Sequence, residues 1–367
     1  MTYFYARLLV LMAPILAWQA VELFVLPPNF FTFRPWEAVL VQNWALFRGP
    51  FYPNQDIEMW SAGDMNPRGH RGTHIRFRSD DCGYRNVGPY DVRAPYELLL
   101  VGDSHMCGAY LHDRDTLATV LERKFDRRTY SYASGWPQCK AFLNDERVWA
   151  NPPRYVVFDV RPEDILHGRY GAWPECPPVD DSLQSMLCEP VSPWQRFLFR
   201  YASEDARVVY DRASKQMGYN FLRARMGLAL LKPQPAVTLD QAHKNIEGFV
   251  AAMAGLRARL ETRGVKLVVM LVPLAYPPGV GDYVAARLTP LVPLVHWHAG
   301  SPYAEDLTAE QCFEIDDSHM TKEGIARAAQ RIVEVISEQS LAVEGAPSRL
   351  AVGDAAADAT TRDESRP

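Results

Sequence analysis

The chain has 367 residues, enough for one large domain or two modest ones. Apolar residues make up 48% and charged residues 23%, an ordinary globular balance. The formal net charge is −5 and no basic block dominates, which argues against a nucleic-acid partner. No internal repeat of fixed period occurs.

The first element is an apolar run. Leu8 to Leu26 reads LLVLMAPILAWQAVELFVL, about the length that spans a bilayer. Arg7 precedes it, which favours a cytoplasmic N-terminus. Small residues at A-x-A spacing are absent after it, so an uncleaved anchor is expected over a cleaved signal peptide. Pro14, Gln19 and Glu22 favour the alternative, a buried or interfacial helix. The expectation is an anchor over residues 1–27, single-pass in the cytoplasmic membrane, with the rest of the chain on the periplasmic side.

Residues 28–95 are irregular and rich in Pro, Gly and aromatics. They read as a membrane-proximal lead-in with short strands, and Phe77 to Asn86 reads as a strand and turn. An alternation of strands and helices follows over 96–340. Tyr96 to Val101 is an apolar strand ending at Gly102. Asp115 to Phe125 has helical spacing. Tyr130 to Ala133 and Tyr155 to Val160 are strands. Leu239 to Arg263 is a long amphipathic helix, and Gly264 leads from it into the strand Val265 to Val272. Leu294 to His298 is a fifth strand, and Lys322 to Glu338 a final helix. Buried apolar strands alternating with helices predict an α/β fold with a parallel, doubly wound sheet. Residues 168–238 break the rhythm and read as an insertion. The tail, 341–367, is rich in Ala, Asp, Ser and Thr and is expected to be disordered.

There are six cysteines and no C-x-x-C pair, so a zinc ribbon or thioredoxin-like site is unsupported. Cys176 and Cys188 bracket a short Pro-rich loop and are the expected disulfide. His70 with His74, and His296 with His298, lack the carboxylate or thiolate partners of a metal site. No metal and no cofactor are expected. Trp136 and Trp173 could stack on sugars, although single aromatics more often serve packing.

A nucleophilic serine needs an exposed position at a strand end, a base within reach, and donors aimed at the developing oxyanion. The run Leu98 to His105, LLLVGDSH, delivers Ser104 to the C-terminal edge of the sheet, where open α/β folds bind ligands. Gly102 permits the turn, and the Ser104 N–H begins the next helix. Near the other end stands Asp316-Asp317-Ser318-His319. Its Asp-x-x-His spacing puts a carboxylate and an imidazole on one turn, so that Asp316 can orient His319 and His319 can take the serine proton. Each piece alone is weak, a helix cap or a surface turn. Together, in this order, they read as a Ser104–His319–Asp316 triad.

Gly102-Asp103-Ser104 early in an α/β domain, with Asp316-x-x-His319 late in it, resembles the SGNH (GDSL-type) hydrolase superfamily. The stretch Gly102 to Glu122 is similar to that family's first block and its helix. Gly83-Tyr84-Arg85 resembles a Gly-aromatic-Arg segment upstream of it. Val265 to Tyr276 resembles the late strand of membrane-tethered members, among them alginate and cell-wall O-acetyltransferase-like proteins. The resemblance covers about 78–340 and implies a three-layer α/β/α fold. It selects Asp316 over Asp317 and places the second oxyanion donor, beside the Ser104 N–H, at Gly135. The third block, usually Gly-x-Asn-Asp, here reads Arg161-Pro162-Glu163-Asp164. The amide donor is missing, and losing one such donor typically costs about 3–4 kcal/mol of transition-state stabilisation. Asp103, His105, Arg161 and Glu163 are the candidates for substrate contact, with Arg161 an alternative donor.

The chemistry implied is acyl transfer through a Ser104 acyl-enzyme, as an esterase or an O-acyltransferase. The expected substrate is an acylated carbohydrate or small ester, on an extracytoplasmic glycan. A transferase would need a membrane protein supplying acyl groups. The contrasting reading is a non-catalytic glycan-binding or scaffold protein that keeps the fold, and Glu163 is its main support.

Overall fold

The computed structural model describes residues 2–25, 48–61, 73–108, 110–133, 142–168, 237–272, 280–296 and 319–344, with single positions at 39, 41, 170, 192 and 194. Helix α1 (Thr2–Phe24) carries Pro14 in its interior. Every residue from 3 to 11 is exposed. Among the described residues no helix is long and apolar enough to cross a membrane. The lead-in contributes an antiparallel hairpin of β1 (Asp56–Ser61) and β2 (Thr73–Arg78).

The central sheet holds β3 (Leu98–Val101), β4 (Thr129–Ser131), β5 (Tyr155–Val160), β6 (Lys266–Leu271) and β7 (Leu294–Val295). Their spatial order is β4-β3-β5-β6-β7, and every pairing is parallel. The expected parallel α/β sheet is therefore present. Between the strands lie α2 (Ser104–Cys107), α3 (Leu117–Phe125), α4 (Glu146–Ala150), α5 (Pro162–Leu166), α6 (Leu239–Glu261) and α7 (Val280–Leu288), and α8 (Lys322–Glu344) follows the last strand.

Successive strand residues point to opposite faces, so each strand feeds two cores. Leu99, Val101, Val156, Phe158, Leu267 and Val269 face one core with Phe249, Met253, Leu256 and Leu260 of α6. Leu98, Leu100, Tyr155, Val157, Val268 and Met270 face the other, with Leu117 and Leu121 of α3 and Ile325, Ala329, Ile332 and Ile336 of α8. Ile75 and Phe77 bring the hairpin into this second core. The result is three layers, and strands buried on both sides read as unbroken apolar runs.

Most expected elements sit within a few residues of their sequence limits. Two differ. The strand expected over Leu294 to His298 is reduced to Leu294–Val295, pairing only with Val269 and Met270. The final helix continues to Glu344 rather than stopping at Glu338. No helix breaker intervenes before Gly345 and Pro347, which are the stop signal the sequence carries. The insertion over 168–238 lies almost wholly outside the described residues, as does the tail beyond 344.

Cys176 and Cys188 also lie outside them, and so does the disulfide expected between them. Cys82, in the turn after β2, is disulfide-bonded, and Cys107 is a buried thiol outside any disulfide.

Candidate active site

β3 and β5 are neighbours, and the connections from them run to opposite sides of the sheet. This is the switch point of the β4-β3-β5 order, where open α/β sheets leave a crevice at the strand C-termini. Ser104 follows β3 here as the first residue of α2. Asp103 is the N-cap, and its Oδ1 accepts the His105 N–H at 2.8 Å. The helix lasts one turn. Gly108 ends it at φ +62°, a left-handed conformation that suits glycine.

Arg85 braces the far end of this turn from behind. Its guanidinium donates to the carbonyls of Gly108 and Leu111, lies 3.5 Å from Asp113 Oδ1, and stacks 4.4 Å over the Phe77 ring. Asp113 also accepts from Arg78 Nε at 2.6 Å. The Gly-aromatic-Arg segment upstream of the serine thus serves the serine's own helix.

His319 arrives from the other end of the chain. Thr321 caps α8 by accepting the Gly324 N–H at 3.0 Å, which sets His319 just before the first turn. His319 Nε2 and Ser104 Oγ are 2.7 Å apart, a hydrogen bond between residues 215 positions apart in sequence. The His319 ring has two ring neighbours among the described residues. His105 lies parallel to it at 4.5 Å and 12°, and Tyr110 meets it at 4.1 Å and 56°. Asp316, Asp317 and Gly135 lie outside the described residues, as does the Glu163 side chain.

Arg161, directly after β5, lies beside the serine's turn. Its Nε is 2.8 Å from Asp103 Oδ2 and donates to Asp164 Oδ2 at 3.0 Å, while Nη2 donates to the same oxygen at 2.8 Å. Burial works to raise the Asp103 carboxyl, but the interactions with His105 and Arg161 outweigh it and hold its pKa below the usual range. Arg161 is held charged above its usual value by Asp103 and Asp164, against the cost of burial.

The structure adds a residue that the sequence reading passed over. Asp159, in β5, is 4% exposed and accepts the Asp103 N–H at 3.1 Å. Burial, and then the charge of Asp103, push its carboxyl pKa well up. An acidic residue inside the apolar strand Tyr155–Val160, one position from its end, was the signal available. Of the four residues proposed for substrate contact, Asp103, His105 and Arg161 gather around Ser104. His105 is almost wholly buried and stacked on His319, which leaves it little surface for a substrate. Among the described residues no cluster of His, Cys, Asp or Glu could hold a metal ion.

No family model and no curated protein matches this sequence. Among solved structures the chain is similar to TesA, at 13% identity and a TM-score of 0.35, over 66% of this chain and 98% of that one. It is also similar to a lipolytic protein of the G-D-S-L family from Desulfitobacterium hafniense DCB-2, at 13% identity and a TM-score of 0.33, over 65% and 98%. At these scores the likeness carries no weight for the activity, which rests on the residues of the site itself.

Proposed function

We propose that the protein is a serine acyl-ester enzyme of the SGNH type, hydrolase or O-acyltransferase, working through a Ser104 acyl-enzyme. The observation that carries this reading is the 2.7 Å approach of Ser104 Oγ to His319 Nε2 at the switch point of the sheet. His319 takes the serine proton as Oγ attacks the acyl carbonyl, then returns it to the departing alkoxide. Asp316 orients the imidazole. The Ser104 N–H and the Gly135 N–H stabilise the oxyanion, the latter by resemblance. Water then releases the acyl group, or a sugar hydroxyl accepts it.

The substrate we favour is an acylated extracytoplasmic glycan or a small ester. The exposed apolar side chains of α1, such as Leu9, Val10 and Leu11, support a membrane tether, because consecutive exposed apolar residues leave no polar face for water. A transferase would draw its acyl groups from a membrane donor protein. The disulfide at Cys82 fits an oxidising compartment.

The test is p-nitrophenyl acetate turnover by the full chain, with and without an oligosaccharide acceptor. Turnover that vanishes in Ser104→Ala is expected. Acceleration by the acceptor, with acylated sugar as product, marks the transferase. A folded Ser104→Ala protein with wild-type turnover would overturn the mechanism. Glycan binding by a wild-type chain that turns over no ester would favour the scaffold reading.

A further inference from the structure

The turn that presents Ser104 is built around a second carboxyl group. Gly102 has no side chain because Asp159 occupies its place: a Cβ there would fall 1.6 Å from Asp159 Oδ1. That same oxygen accepts the Asp103 N–H at 3.1 Å. Asp159 Oδ2 is also buried and receives no hydrogen bond among the described residues. The Asp159 carboxyl group also interacts with the Asp103 side chain. Two carboxyl groups in contact inside a protein do not both ionise, because like charges at that range repel strongly.

Which of the two keeps the proton is decided by their neighbours. The groups that act on the pair are Arg161, with Asp164 and Tyr170 beside it, and His105 and His319 from the helix and the approach to α8. Arg161 sits 2.8 Å from Asp103, and His105 N–H also donates to Asp103. The negative charge therefore belongs on Asp103. The proton therefore belongs on Asp159, which is 4% exposed and accepts its hydrogen bond from a backbone N–H rather than from a cation.

We propose that Asp159 is a positioning residue acting as a neutral carboxylic acid, one oxygen accepting the Asp103 N–H and the other donating its proton to the Asp103 carboxylate. This grip at two points fixes the Gly102–Ser104 turn and so the line from Ser104 Oγ to His319. The proposal rests on Ser104 being the nucleophile.

The experiment compares Asp159→Asn with Asp159→Ala in the full chain. Asparagine keeps the shape, the accepting oxygen and a donor toward Asp103, so it copies the neutral acid. Asp159→Asn should keep kcat and KM within about threefold of wild type. Asp159→Ala should lose about a hundredfold in kcat with little change in KM, the scale of a small misplacement of a reacting group. A folded Asp159→Asn as slow as Asp159→Ala would overturn the proposal, since an ionised carboxylate would then be required. A folded Asp159→Ala with wild-type kcat would overturn it equally.

A second readout is independent of turnover and needs only a folded Asp159→Asn. At neutral pH the wild type should show the infrared carbonyl band of a protonated carboxylic acid, missing from the Asp159→Asn spectrum. A wild type without that band sinks the proposal. Failure of Ser104 to react with a fluorophosphonate would instead count against the acyl-enzyme reading, leaving the infrared band to decide the state of Asp159.

Discussion

The imidazole of His105 lies flat against that of His319, with ring centroids 4.5 Å apart and planes inclined by 12°. The residue next to the serine therefore packs on the ring that would serve as its base. Stacking of this kind restricts the tilt of His319 without using its nitrogens. His105→Ala should slow turnover by about ten- to a hundredfold through loss of alignment, and His105→Phe should recover most of it. Steady-state kcat for the two variants checks this. Equal losses in both would show that stacking is not what His105 contributes.

Members of a triad act as a unit, so their losses do not add. Ser104→Ala and His319→Ala should each remove nearly all turnover, and the double variant should be little worse. Asp316→Asn should be severe and Asp317→Asn nearly silent. Fluorophosphonate labelling should fall on Ser104 and depend on His319, as read by peptide mass spectrometry.

Arg85 is 2% exposed and ties Gly108, Leu111 and Asp113 together. Burial depresses its pKa, which Asp113 opposes. Removing one partner of a buried pair typically costs about 3–5 kcal/mol, and Arg78 remains to hold Asp113, so the lower end is expected for Arg85→Ala. Urea denaturation measures that loss. Turnover of the folded fraction should also fall, because the C-terminal end of α2 loses its brace.

Asp80 is buried among Tyr84, Tyr130 and Asn86. Burial pushes its carboxyl up to about 6, against hydrogen bonds from Tyr130, the Tyr84 N–H and Asn86. Its folded pKa lies above the ordinary 3.8, so the fold favours the neutral form. The contribution to stability is full below about pH 4 and is lost as the pH rises through about 6. Across that window the wild type should lose roughly 3 kcal/mol relative to Asp80→Asn. Denaturant titrations at a series of pH values check the slope. A constant gap between the two proteins would refute it.

Peptide mapping without reductant should recover Cys82 in a disulfide and Cys107 as a thiol. The same map tests the pairing of Cys176 with Cys188. Recovery of Cys82 as a free thiol from an oxidising preparation would count against the bond.

What was legible in the chain is what short-range chemistry sets. Tyr155–Val160 is an apolar run, interrupted only by Asp159, between Pro153 and Pro162, and it forms one strand with those limits. Thr238 caps α6, and Gly264, at φ +71°, turns the chain toward β6. Ser104 was legible because an apolar strand, a glycine and an N-cap stand in line before it. His319 was legible because its turn precedes a regular helix. The last strand was overread, because apolar residues at a sheet edge extend only as far as β6 offers backbone to pair with.

The tertiary structure decided the rest. The strand order β4-β3-β5 sets the end of β5 beside the serine's turn, and this alone brings Asp159 and Arg161 to Asp103. The same packing lays His105 on His319 and carries Arg85 to the end of α2. None of these pairs has a local signal. A carboxyl group's protonation, or an imidazole's stack, depends on neighbours within a few ångströms. Those neighbours are supplied by segments that only the packed sheet makes adjacent.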